Sequence, residues 1–256
     1  MKIVVKVGTS TLAHPTGLLN IRHMESLCRV LSDIKNAGHQ VILVSSGAIG
    51  MGVGKLSLKE RPTDMASKQA AAAVGQCELM YTYDKLFGEY NHVTGQILVT
   101  KSDIEKEENR KNFVNTLNRL LDFDALPIIN ENDTIATEEI AIGDNDTLAA
   151  HVAVAAKADL LVLLTDIDGL YTSDPRTDPN ASLVPCVYEL TPRIMSLGGG
   201  KGSGLGTGGM ATKLSAAKIA VEDGCDMIIA NGRDPAVLYD ILDGKQVGTR
   251  FYGSKD

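Results

Sequence analysis

Short runs of β-branched and other apolar residues alternate along this chain with longer stretches in which apolar positions recur at helical spacing. The short runs, at residues 3–7, 40–44, 93–99, 125–129, 160–164 and 227–230, predict strands. The longer spacing predicts helices over 21–37, 64–87, 110–121, 146–156, 210–222 and 235–242. Several strand runs are apolar at every position, not at every second one, which marks strands covered on both faces. The alternation predicts βαβ units, and so an α/β fold with a mainly parallel central sheet between helical layers. No repeat and no break in composition interrupts the pattern, so one domain over residues 1–256 is expected. Residues 197–209 stand apart: eight glycines there leave too little to hold a regular element, and predict a mobile loop or lid.

Composition narrows the function classes. At 256 residues and 44% hydrophobic the chain can bury one substantial core. A formal net charge of -7, a pI near 5.3 and no concentrated Lys/Arg face argue against a nucleic-acid partner. The N-terminus reads as a strand, not a secretion signal, and no apolar run approaches the roughly 20 residues of a membrane span. A cytoplasmic protein with no membrane partner is expected. Cys28, Cys77, Cys186 and Cys225 lie far apart with no CxxC spacing, which predicts reduced, mostly buried thiols. The five histidines show no metal spacing, and none is assigned a role.

Candidate chemistry lies in turns that follow the strands: residues 6–10 (KVGTS), 45–48 (SSGA), 143–146 (GDND) and 204–213 (GLGTGGMATK). Most of them follow an apolar run and open a helical pattern, a geometry that aims backbone N–H groups and helix N-termini at anions. Such turns suit phosphoryl transfer, whose catalysis is mainly positioning and neutralisation of phosphate charge. There is no GxxxxGK[ST], and no HRD/DFG pair of the protein-kinase kind. Gly204, Gly206 and Gly209 do spell GxGxxG, but the pattern follows a glycine loop where a dinucleotide fold would have a strand. Lys6 is expected at the carboxyl end of the first strand, where its ammonium could neutralise a phosphoryl group; read alone, it could equally be a strand-end lysine reaching water. Ser46 and Gly47 offer a second anion-facing turn. Polar residues bunch at 130–134 (NENDT) and 143–147 (GDNDT), partly as Asx turns and caps, but with the amides and carboxylates a zwitterion requires. Thr165 and Asp166 leave a buried strand at another carboxyl end.

The strings VKVGTS, SSGAI, SKQAAAAVGQ, PIINENDT, IGDNDTLAA, LLTDIDGLYTSDPR and GLGTGGMATK occur in this order over essentially the whole chain. Together they resemble the amino acid kinase family, and within it the branch that phosphorylates the side-chain carboxylate of glutamate. The resemblance implies a three-layer αβα sandwich and ATP-dependent formation of L-glutamyl 5-phosphate, the first step of proline biosynthesis from glutamate, with Mg²⁺ accompanying ATP. It implies that Lys6 stabilises the transferring phosphoryl group, that Lys213 acts on the leaving-group side, and that Asp146 holds both lysines. By the same resemblance Ser46, Asp133, Asn145 and Asn130 bind glutamate. Lys6, Thr165, Asp166, Thr207, Gly208, Gly209, Met210, Ala211, Thr212 and Lys213 bind ATP. No protein-held metal is implied.

Feedback by proline, with contacts in the loop 134–140, and a homo-oligomer, dimer or tetramer, are also expectations from the family. Many family members continue into a C-terminal PUA domain, whereas this sequence stops at Asp256 and resembles the kinase-only form. The chemistry agrees: a carboxylate acceptor with a pKa near 4.3 is already ionised at neutral pH and needs no general base. Other acceptors remain as rivals, namely acetylglutamate, aspartate, carbamate and nucleoside monophosphates, as does a non-catalytic sensor that binds ATP or an amino acid.

Overall fold

The computed structural model describes residues 1–14, 16, 18–135, 145–199 and 209–254. Eight strands form one sheet: β1 (Lys2–Val7), β2 (Gln40–Val44), β3 (Thr94–Val99), β4 (Leu126–Glu131), β5 (Leu160–Thr165), β6 (Cys186–Val187), β7 (Asp226–Asn231) and β8 (Thr249–Phe251), in the order β3-β4-β2-β1-β5-β7-β8-β6. From β3 to β7 every neighbouring pair is parallel; β8 runs antiparallel to β7, and β6 pairs parallel to β8. The mainly parallel α/β expectation holds, with β1 in the middle between β2 and β5 in matched register.

The described helices are α1 (Thr9–Leu12), α2 (Ile21–Asn36), α3 (Ala48–Lys55), α4 (Met65–Gly88), α5 (Lys101–Glu105), α6 (Glu107–Asp122), α7 (Asn145–Ala156), α8 (Pro192–Ser196), α9 (Met210–Glu222) and α10 (Val237–Leu242). Alternating strand residues feed two separate cores, because successive side chains leave opposite faces of a sheet. Val4, Ile42, Leu161, Leu163 and Met227 join Leu117 of α6, Val152 of α7 and Leu214 of α9 on one face. On the other face Ile3, Val5, Leu43, Val162 and Ile228 pack with Leu27 of α2, Tyr83 of α4 and Leu238 of α10. Lys6 shares its parity with Val4, and therefore points into the layer of α7 and α9.

Capping fixes where several helices begin. Asn20 accepts the His23 backbone N–H at the start of α2, and Asp64 accepts that of Ser67 at the start of α4, at 2.9 Å. Gly47 precedes α3 at φ +96, a conformation that glycine adopts without a Cβ clash. α3 and α4 then cross almost in backbone contact. A Cβ on Gly52 would lie 1.8 Å from the Ala71 carbonyl oxygen, and one on Gly75 would lie 1.8 Å from that of Ala48.

Some expectations need correction. α3 reads in sequence only as a turn; its three glycines, of which Gly52 makes this crossing, hide the helix. β4 runs on through Asn130 and Glu131, because hydrogen bonds make polar residues tolerable inside a buried strand. The thiols are not mostly buried: Cys28 and Cys225 are, but Cys77 is exposed and Cys186 half-buried. Burial raises the Cys28 thiol and pushes that of Cys225 up to about 12, which keeps both protonated. No helix among the described residues is long and apolar enough to cross a membrane. Most of the glycine-rich stretch, residues 200–208, lies outside the described residues.

Candidate active site

Parallel strands deliver their carboxyl ends to one edge, and β4, β2, β1 and β5 are consecutive neighbours there. α7 begins at the same edge. Its first two residues face two different clusters: Asn145 reaches the end of β2, and Asp146 reaches the end of β1.

Asp146 is 1% exposed and lies between two buried ammonium groups. Its Oδ1 is 2.7 Å from Lys6 Nζ, and its Oδ2 is 3.0 Å from Lys213 Nζ. Thr212 Oγ1 also lies 3.0 Å from Oδ2 and 2.8 Å from the Gly209 carbonyl, so its one proton is shared between them. Burial by itself would raise the Asp146 carboxyl. The Lys6 and Lys213 charges overcome that and hold it well below the usual carboxylate range. The three groups carry one net positive charge, and Gly8 leaves bare backbone beside it, since a Cβ there would lie 3.8 Å from Lys6 Nζ.

Beside the triad lies a neutral cluster of amides. Asn145 Nδ2 is 2.7 Å from the Ser45 carbonyl oxygen, 2.9 Å from Ser46 Oγ and 3.0 Å from Asn130 Oδ1. Ser45 Oγ is in turn 2.9 Å from the hydroxyl of Tyr83, which is fully buried. Asp133 sits just past β4. Burial pushes its carboxyl up to about 6, against an opposing pull from the Arg61 guanidinium.

Across the triad, Thr165 Oγ1 donates to Asp166 Oδ1 at 3.2 Å at the end of β5. Both line a cavity of about 400 Å³ with Tyr171, Gly209, Met210 and Lys213. Met210, Ala211, Thr212 and Lys213 form the first turn of α9, preceded by Gly209. Of the sequence candidates, Lys6, Asp146 and Lys213 thus come together, as do Ser46, Asn130 and Asn145. Thr165, Asp166, Gly209, Met210 and Lys213 share the cavity. Thr207 and Gly208, and residues 136–140 of the loop expected to meet proline, lie outside the described residues.

Residues 1–231 match the model of the amino acid kinase family. The chain belongs to the amino acid kinase family. Among its relatives, a glutamate 5-kinase of Clostridium perfringens is 53% identical over 99% of this chain and 96% of its own length. A glutamate 5-kinase of Clostridium tetani is 55% identical over 99% of this chain and 95% of its own. The solved structure of UMP kinase from Ureaplasma parvum superposes with a TM-score of 0.66 at 17% identity, covering 98% of both chains. An isopentenyl phosphate kinase from T. acidophilum gives 0.65 at 18% identity, covering 98% of this chain and all of its own. At such identities the last two establish only that the fold is shared.

Two residues beside this amino acid kinase site were given no role from the sequence, although Gln76 closes the SKQAAAAVGQ string. Gln76, which accepts from Asn130, is one glutamine in an alanine-rich helix, and Tyr83 looks like any core aromatic. A buried polar side chain facing the NENDT strand could be recognised only once α4 was laid against β4.

Proposed function

We propose that the chain transfers the γ-phosphoryl group of ATP to the side-chain carboxylate of L-glutamate, giving ADP and L-glutamyl 5-phosphate, the first step of proline biosynthesis. A carboxylate oxygen attacks the γ-phosphorus, and the bond from that phosphorus to the β–γ bridging oxygen breaks. ADP keeps the electron pair. The acceptor is already anionic, so no protein base has to remove a proton. The barrier is the repulsion between two anions and the charge that spreads over the transferring group.

The observation that carries this reading is the Lys6–Asp146–Lys213 triad directly beside the Asn145 amide cluster. Asp146 fixes two cations without a flexible partner, so little reorganisation is left for the reaction itself. On this reading Lys6 faces the transferring phosphoryl group and Lys213 the leaving oxygens. Ser46, Asn145 and Asn130 hold glutamate, and Asp133 pairs with its ammonium. Thr165, Asp166 and the first turn of α9 hold ATP, and Thr207 and Gly208, outside the described residues, are proposed to bind it too.

A divalent cation accompanies ATP in such a reaction, and Mg²⁺ is the proposed one. Among the described residues no three His, Cys, Asp or Glu side chains are gathered as a metal site, and two lysines already occupy Asp146. These donors fit a cation carried by the phosphates and water, with Asp166 and the Arg176-paired Asp174 the carboxylates that line the nucleotide cavity. When bound, the ion would neutralise phosphate charge.

Proline feedback at loop 134–140 and a homo-oligomer belong to the same proposal, as does a cytoplasmic location. Exposed Ala70, Ala73, Cys77 and Tyr81 recur at helical spacing on α4 and would suit a second copy. A single monomer mass in light scattering would contradict association, and an unchanged rate with added proline at low glutamate would contradict feedback. The reaction is tested by ADP release from Mg-ATP with hydroxylamine present, comparing glutamate, acetylglutamate, aspartate and UMP. Hydroxamate from glutamate alone is expected, and turnover of another acceptor overturns the assignment.

A further inference from the structure

Gln76 is 8% exposed and lies one residue after Gly75, where α4 is pressed against α3. Its Oε1 accepts from Asn130 Nδ2 at 2.9 Å. It is the far end of the amide chain that reaches Ser46 through Asn130 and Asn145.

Backbone groups fix the direction of that chain. Glu131 N–H donates to Asn130 Oδ1 at 2.9 Å, so this oxygen must face Glu131 and the Nδ2 group must face Gln76. At the other end the Ser45 carbonyl can only accept, so the Asn145 amide must present its NH₂ there. That NH₂ has two protons for three acceptors: Ser45 O, Asn130 Oδ1 and Ser46 Oγ. Asn145 Nδ2 can only donate, so in this contact Ser46 Oγ accepts from within the protein and keeps its own proton to donate outward. Gln76, with Oε1 committed to Asn130, is left with Nε2 buried and without a partner among the described residues. A buried donor left unpaired is costly and calls for an explanation, because a leucine would fill the same space without that cost.

We infer that Gln76 is a positioning residue for acceptor recognition: by accepting from Asn130 it anchors the far end of an amide chain whose direction the backbone sets, and so steadies Ser46 as a hydroxyl donor toward the acceptor carboxylate. This rests on the reading of Ser46 and Asn145 as acceptor contacts. If Gln76 were lost, Asn130 Nδ2 would have no acceptor, the Asn130 amide would be held by the Glu131 N–H alone, and its contact with Asn145 beside Ser46 would loosen. The phosphoryl half of the site, held by Asp146, would not notice.

The test uses Gln76→Leu, which keeps the volume, and Gln76→Glu, which keeps an acceptor facing Asn130. Gln76→Leu should raise KM for glutamate about tenfold, with kcat and KM for ATP within roughly twofold of wild type. The side-chain amide signals of Asn145 in a ¹⁵N–¹H spectrum should move in Gln76→Leu and stay near wild type in Gln76→Glu. An unchanged KM, or unmoved Asn145 signals, overturns the inference, and so does an equal rise in KM for glutamate and ATP. Should Gln76→Leu fold poorly, Gln76→Met supplies the same comparison with a more adaptable side chain. If the wild type makes no hydroxamate from glutamate, the parent reading fails, while the Asn145 signals, which need no acceptor, still decide whether Gln76 holds the chain.

Discussion

The two halves of the site meet at a single peptide bond, between Asn145 and Asp146, yet they are built from opposite materials. On the Asp146 side three charged groups are locked together in a buried triad. On the Asn145 side the contacts described are between neutral amides and hydroxyls. Fixed charge suits the place where charge moves during reaction, because a preoriented cation is worth more there than a solvated one. Oriented dipoles suit the place where a zwitterion must be told from its neighbours, because a misplaced hydrogen-bonding group is penalised by an unpaired partner. Rate and selectivity should therefore separate along this boundary.

The sharpest way to break the comparison is to remove a lysine. Lys213→Ala or Lys6→Ala should lower kcat by roughly 10²–10⁴ with KM for glutamate changed only a few-fold. ADP release by folded protein checks this, and wild-type turnover would remove that lysine from the mechanism. Next comes Asp146→Asn, which leaves two ammoniums facing one another without a counter-charge. A loss of about 3–5 kcal/mol in a urea titration is expected, together with activity. An Asp146→Asn protein as stable as wild type would mean that water, not Asp146, balances those charges.

Acidity sharpens the contrast further. Asp146 is held below the ordinary carboxylate range, so the stability it supplies is present above that range and is lost only when pH falls beneath it. Asp133 behaves oppositely. Burial lifts it from 3.8 to about 6, so the fold favours its neutral form and stability falls as pH rises across that interval. If ionised Asp133 pairs with the acceptor ammonium, KM for glutamate should rise about tenfold from pH 7 to pH 5 while kcat stays nearly level. Asp133→Asn should abolish that slope, raise KM, and stabilise the protein at pH 7 by on the order of 1 kcal/mol. A pH-independent KM in the wild type would separate Asp133 from the acceptor. The smallest effect expected is for Ser46→Ala, a rise in KM of about tenfold or less, with the triad undisturbed.

The two halves also differed in how far the sequence disclosed them. Strands such as β1 and β5 are legible because an unbroken apolar run has few other uses, and Lys6 is noticeable because it interrupts one. The central parallel sheet follows from such runs. β6 and β8, at two and three residues, are too short for any periodicity to speak. α3 is hidden by its glycines, and the reason for one of them, Gly52, lies in α4. Asn130 and Asn145 are visible because polar residues bunch there, whereas Gln76 becomes meaningful only through a hydrogen bond 54 positions away along the chain. Glycine and glutamine here report on neighbours in space, and a linear pattern carries no trace of those neighbours.

The triad draws its members from the first strand, from α7 and from α9. A ribosome delivers them in that order, so a nascent chain has its Lys6–Asp146 pair in reach well before Lys213 emerges. Until α9 docks, the aspartate lacks its Lys213 counter-ion and the cavity beside Thr165 and Asp166 lacks a wall. Prematurely released fragments should therefore be unable to consume ATP, and the docking of α9 serves as the arming step of synthesis.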